Sequence, residues 1–133
     1  MKTNELMVDD YVRIKSTKQI IKLTVIDSTY DEVSYFDGEA EGELTIKLSN
    51  IEPIELTPEI LEKNGFTKGG MFGERYYLAV EDFEIYIYFA SVNTQLIIEK
   101  RNGKKIINLL NVEYLHILQH ALKLCGIEKT IEL

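Results

Sequence analysis

Both histidines and the only cysteine of this chain fall within ten residues, in "HILQHALKLC", His116 to Cys125. Imidazoles and a thiol so close in sequence could ligate a metal or form a nucleophile and its base. The stretch reads as a helix, so the question is which faces the three side chains share. With about 100° per residue and His116 at zero, His120 lies at about 40° and Cys125 at about 180°. Cys125 is therefore opposite His116, and no ion can touch both from this helix. The two histidines have the i, i+4 spacing of metal ligands, but "HILQH" lacks the glutamate of H-E-x-x-H and offers no third ligand. The pattern predicts an ordinary amphipathic helix. His116, Gln119, His120 and Lys123 form its polar arc, and Leu115, Leu118, Ala121, Leu122 and Cys125 face a core. On that reading, replacing both histidines by alanine costs less than about 1 kcal/mol.

Three further runs carry chemistry-bearing types. "DGEAEGE" places Asp37, Glu39, Glu41 and Gly42 as in the first half of a calcium loop. Position 12, which needs a bidentate glutamate, is Leu48, so the run is read as a solvated acidic hairpin loop. "KGGMFG" holds Gly69, Gly70 and Gly73 between a helix and a strand. A phosphate-cradling loop runs from strand into helix and ends in Lys-Ser/Thr, so this run is read as a mobile turn. "KRNGKK" groups Lys100, Arg101, Lys104 and Lys105 around a hairpin turn, a candidate contact for phosphate or an acidic partner. Such a tip also keeps strands soluble and resists edge pairing.

The tyrosines are more suggestive. In "FEIYIYF", Phe83, Ile85, Ile87 and Phe89 share one face of a strand, and Glu84, Tyr86 and Tyr88 share the other. If a helix covers the first face, the second presents tyrosines, with Tyr76 or Tyr77 from the neighbouring strand beside them. Amphipathic aromatics suit interfaces, although the same face could be covered by the rest of the chain. Tyr86, Tyr88, His116 and Gln119 are the candidate interaction surface. No Ser-His-acid set, no paired-carboxylate motif and no cofactor fingerprint stands out. The expectation is a non-enzyme with no catalytic residues, no metal and no cofactor.

Short elements must position these residues. "DYVRIK", "QIIKLTVID", "EVSYF", "LTIKL" and "NIEPI" read as five strands within the first 55 residues. In the second, Ile21, Leu23 and Val25 share one face, with Ile20 and Ile26 opposite. Five short strands with tight turns predict a small SH3-like barrel. "LTPEILEKNGF" is a helix with Thr57 as N-cap, Pro58 at its first position and Asn64-Gly65 as its stop. Four strands follow, the last two joined by Asn102-Gly103, which predicts a type I′ turn with positive φ at both residues. A helix from about Val112 to Cys125 covers the sheet, and "TIEL" adds a final extended segment. The expected fold is α+β: residues 1–56 an SH3-like barrel subdomain, and residues 57–133 a helix, an antiparallel meander and a covering helix, packed together.

Composition bounds the setting. At 133 residues, 45% hydrophobic and 28% charged, the chain is a folded domain or two small subdomains. No apolar run is long enough to span a membrane. The N-terminus lacks the apolar run of a signal peptide, and a lone cysteine suits a reducing compartment. The expected location is the cytoplasm. The net charge is −7, with six Lys/Arg against twelve Asp/Glu in residues 1–57. An acidic surface repels phosphate backbones, which disfavours nucleic acid as a general partner. An unidentified protein, or a second copy of the chain, is the expected partner.

Three stretches together resemble a group of small uncharacterised proteins from bacterial phages and mobile elements. They are "NELMVDDYV" at 4–12, "IEPIELTPEILEKNGF" at 51–66 and "EYLHILQHALKLCGIE" at 113–128. The group's patterns are like N-E-L-R-I-G-N-x-V, I-x-P-I-P-L-T-x-E-x-L-x-K-x-G-F and Y-V-H-x-L-Q. Met7, Asp9 and Glu55 depart from them. The resemblance implies no activity and no catalytic residue. It draws attention to His116 and Gln119, and it implies a role as an interaction module of a phage or mobile element. The alternatives are a nucleic-acid-associated accessory factor or a small enzyme with a site between the two halves.

Overall fold

Val12, Ile21, Leu23, Val33 and Tyr35 are buried in the core of an N-terminal unit, and their alternation with less buried neighbours is what makes its strands. A computed structural model describes residues 1–38, 42–70, 74–90 and 93–133. Glu39 and Glu41 of the acidic run and Gly73 of the glycine run lie outside them. The chain forms two compact units, Met1–Ile54 and Glu55–Leu133.

The first unit has five antiparallel strands: β1 (Tyr11–Ile14), β2 (Ile20–Asp27), β3 (Glu32–Phe36), β4 (Glu43–Lys47) and β5 (Ile51–Pro53). Their order is β4-β3-β2-β1-β5. The sheet is open, because no ladder joins β4 to β5 among the described residues, so the expected closed barrel is not formed. A 3-10 turn, Leu48–Asn50, fills the connection between them. β5 is only three residues long and ends in a proline that has no N–H to donate.

The core of this sheet departs from strict alternation. Between Leu23 and Val25 the pairing slips by one residue, since Leu23 faces Tyr35 while Val25 already faces Ser34. This bulge changes the face that β2 presents. Val25 is 43% exposed, and Ile26 packs against the core in its place. The simple period-2 reading had these two residues reversed.

The second unit opens with α1 (Pro58–Lys63). The Thr57 hydroxyl accepts from the Ile60 amide at 3.3 Å, satisfying one of the amides a helix start leaves open. Gly65 then takes φ +89°, the left-handed stop that the sequence predicts. The sheet is a meander of five strands rather than four: β6 (Thr67–Gly69), β7 (Arg75–Val80), β8 (Phe83–Phe89), β9 (Thr94–Lys100) and β10 (Lys105–Leu109), in the order β10-β9-β8-β7-β6. β6 has no alternating apolar residues of its own. Its pairing with β7 (Thr67 opposite Tyr77, Gly69 opposite Arg75) makes it a strand.

Two local expectations are corrected. At the β9–β10 turn Gly103 has φ +85°, but Asn102 is not in the left-handed region. The Gly103 amide donates to the Lys100 carbonyl at 2.8 Å, and the Lys100 amide to the Lys104 carbonyl at 2.9 Å. This is a three-residue loop with one left-handed glycine, not a type I′ turn. The final helix, α2, spans Leu115–Leu124 and starts later than Val112. Asn111 has φ +61°, the Val112 amide donates to the Thr94 carbonyl, and Tyr114 is extended in a bridge with Glu55. These contacts hold residues 111–114 out of the helix.

The C-terminal "TIEL" is not a strand. The Asn64 side chain holds it: Nδ2 donates to the Glu132 carbonyl at 2.8 Å, and Oδ1 accepts from the Glu132 amide at 2.7 Å. This pair of hydrogen bonds between residues 68 apart flanks Ile131, which is buried at 2% exposure.

Candidate interaction surface

The two faces of the C-terminal sheet differ sharply. On one, Ile85, Ile87, Leu96 and Ile98 are fully buried. Tyr76 and Leu78 extend that face on β7: Tyr76 Oη donates to Glu62 of α1 at 3.4 Å, and Leu78 lies against Gly65. On the other face the register sets Tyr77 opposite Tyr86 and Tyr86 opposite Ile97. Arg75 and Gln95 flank Tyr88 there.

These residues form an aromatic cluster. The rings of Tyr77 and Tyr86 are 5.2 Å apart, and those of Tyr86 and Tyr88 are stacked at 6.5 Å. The Arg75 guanidinium lies 5.9 Å from the Tyr86 ring centre, within cation–π range. Glu84 accepts from Tyr86 Oη at 2.9 Å and from Tyr77 Oη at 3.5 Å. The three tyrosines are half-buried, so each keeps part of its ring at the surface. The neighbour of the β8 tyrosines is thus Tyr77. Tyr76 points to the opposite face and is buried at 3% exposure.

Electrostatics at Tyr86 favour its protonated phenol. Burial, then the hydrogen bond and charge of Glu84, push the Tyr86 hydroxyl up to about 12 from its ordinary 10.0. A pKa raised by folding stabilises the protonated form, so this contribution is full below pH 10 and is lost as pH rises through about 12. A tyrosinate absorbance titration should therefore show a late-ionising tyrosine that Tyr86→Phe removes. Glu84→Gln, which deletes the repelling charge, should move that ionisation to lower pH. An unchanged late step in both variants would show that Glu84 does not govern Tyr86.

The remaining candidates are placed less as the sequence suggests. His116 was expected on a solvated arc but is buried, at 5% exposure. Its ring lies between those of Tyr114, stacked at 5.9 Å, and His120, edge-on at 5.5 Å. The angular argument misses this because it treats α2 as an isolated cylinder, whereas Tyr114, extended just before the helix, stacks its ring on that of His116. Gln119 and His120 are half-buried, and Leu124, the last residue of α2, is 78% exposed. Tyr86 and Tyr88 are brought together on β8, while His116 and Gln119 sit on α2. Cys125 is half-buried, and desolvation raises its thiol pKa, which makes it a poorer nucleophile. Lys100, Arg101, Lys104 and Lys105 are all exposed around the β9–β10 turn. Among the described residues, no group of three or more His, Cys, Asp or Glu side chains is placed to hold a metal.

Arg75, Tyr77, Glu84, Gln95 and Ile97 belong to the cluster but were not singled out as site residues. Alternation along β8 already puts Glu84 on this face, but only the cross-strand register chooses Tyr77 over Tyr76 and brings in Arg75, Gln95 and Ile97.

The chain is an α+β protein with two open antiparallel sheets, and no helix among the described residues is long and apolar enough to cross a membrane. No family model, curated protein or solved structure matches it.

Proposed function

We propose that this chain is a non-enzymatic interaction module whose protein partner docks on the Tyr77–Tyr86–Tyr88 face of the C-terminal sheet. The observation that carries the reading is the asymmetry of that sheet: one face is sealed by fully buried aliphatics, and the other presents half-buried stacked tyrosines. Tyrosine gives large contact area at low conformational cost and can still hydrogen-bond at its tip. Arg75 adds a specific demand. Its Nε is buried with no hydrogen-bond acceptor among the described residues, and its guanidinium lies over the Tyr86 ring, where a partner carboxylate at this end of the cluster would pair with it. The N-terminal sheet, in which β5 returns beside β1, is read as an opened SH3-like barrel. The three motif stretches favour a phage or mobile-element setting in the cytoplasm.

The test is a pull-down from the native host with the full chain and with Tyr86→Ser/Tyr88→Ser. The expected result is a band lost in the variant while its melting temperature stays near that of the parent. A variant that retains every partner and its stability would remove this face from the function. Micromolar duplex-DNA binding at physiological salt, abolished by charge reversal at Lys100, Arg101, Lys104 and Lys105, would instead favour a nucleic-acid accessory role.

A further inference from the structure

The N-terminal unit is acidic, with eleven Asp/Glu against six Lys/Arg in residues 1–54. Its charges are nonetheless sorted. Three of the six cations, Lys2, Lys15 and Lys47, line one open cavity of about 850 Å³, together with a single acid, Asp31. The cavity lies beside the Leu48–Asn50 turn, and the hydroxyl-bearing residues Thr3 and Ser49 also line it. Its volume is within the range of roughly 300–1,000 Å³ typical of sites for small molecules.

The cations differ in what already holds them. Lys47 Nζ is 2.8 Å from Glu32 Oε1, and the pair is exposed enough to be weak. Lys2 and Lys15 form no ion pair among the described residues. Glu52, whose carboxylate feels the Lys15 charge, is bound instead to Lys18 at 3.0 Å and faces Arg13 at 3.8 Å. Two lysines with no ion pair among the described residues thus line one open cavity of an otherwise acidic unit. A multivalent anion in this cavity could be approached by both lysines at once. Lysine binds phosphate as a point charge with three donors, and the two hydroxyls add neutral donors.

We infer that this cavity binds a small phosphate-bearing molecule, with Lys2 and Lys15 as its charge contacts. The size and concavity favour a small molecule over a nucleic-acid strand, whose tracking needs a longer positive groove.

The probe is inorganic pyrophosphate, titrated into the full chain at low salt and followed by amide chemical shifts. The expected result is saturable binding with shifts centred on Lys2, Thr3, Lys15 and Ser49. Lys2→Glu/Lys15→Glu should weaken it by about tenfold or more, the scale of one lost charge-assisted bond. Both side chains are exposed, so this variant should fold, and circular dichroism checks that. Lys104→Glu/Lys105→Glu, on the other unit, should bind as the parent does. Shifts that never saturate, shifts centred on residues 100–105, or unweakened binding by Lys2→Glu/Lys15→Glu would overturn the proposal. A single-stranded oligonucleotide that displaces pyrophosphate and binds more tightly at these same residues would overturn the small-molecule assignment.

Discussion

Replacing Asn64 with alanine should lower the free energy of unfolding by about 3 kcal/mol, as read from urea denaturation. Asn64 is 4% exposed, and its side chain makes three hydrogen bonds. Nδ2 donates to the Ile60 carbonyl at 2.7 Å as well as to Glu132, so one amide both closes α1 and clamps the C-terminal segment. Alanine removes all three bonds and leaves the Glu132 backbone without its partners. That segment is at the chain end and can open to water, which limits the loss. Opening would also expose Ile131 and withdraw its apolar contribution. Amide exchange at Glu132 should accelerate well beyond the change at core strands. Asn64→Asp separates the contributions, because it keeps the acceptor for the Glu132 amide and loses both donors. A change below about 0.5 kcal/mol for Asn64→Ala would mean that the clamp does not hold the C-terminus in solution.

Leu118→Ala should cost about 2–5 kcal/mol, the range for a leucine removed from a packed core. Leu118 is fully buried on α2, and the neighbouring Leu115 and Ala121 leave no solvent to refill the space. The histidines of the same helix should now separate. His120→Ala should cost less than about 1 kcal/mol, because that ring is only half-buried. His116→Ala should cost about 1–2 kcal/mol, because its buried ring packs against Tyr114 and His120. Thermal or urea unfolding of the three variants measures this order. Equal, small effects of both histidine changes would restore the solvated-arc reading. A Leu118 variant as stable as the parent would show that the helix does not cap the core.

Local signals determined much of this protein. Thr57-Pro58 and Asn64-Gly65 bracket α1 because capping and a left-handed stop depend only on adjacent residues. The alternation of Ile85 and Ile87 with Tyr86 and Tyr88 assigned the two faces of β8, since strand periodicity is a backbone property. The α+β composition followed from such elements. What the tertiary structure decided are the relations between distant residues. The bulge that exchanges Val25 for Ile26 exists because β2 is paired with β3. β6 is a strand because β7 offers it an edge. The N-terminal sheet stays open because β5 is too short, and ends too soon in proline, to pair with β4. His116 is buried, its ring stacked on Tyr114 just before a helix whose onset Asn111 and the Val112–Thr94 bond delay. The Arg75 and Tyr77 surroundings of Tyr86 are set by register, and the Asn64–Glu132 clamp joins residues that no local window contains. Hydrogen bonds and packing between segments far apart in sequence select among locally acceptable conformations, and that selection is made only when the chain closes on itself.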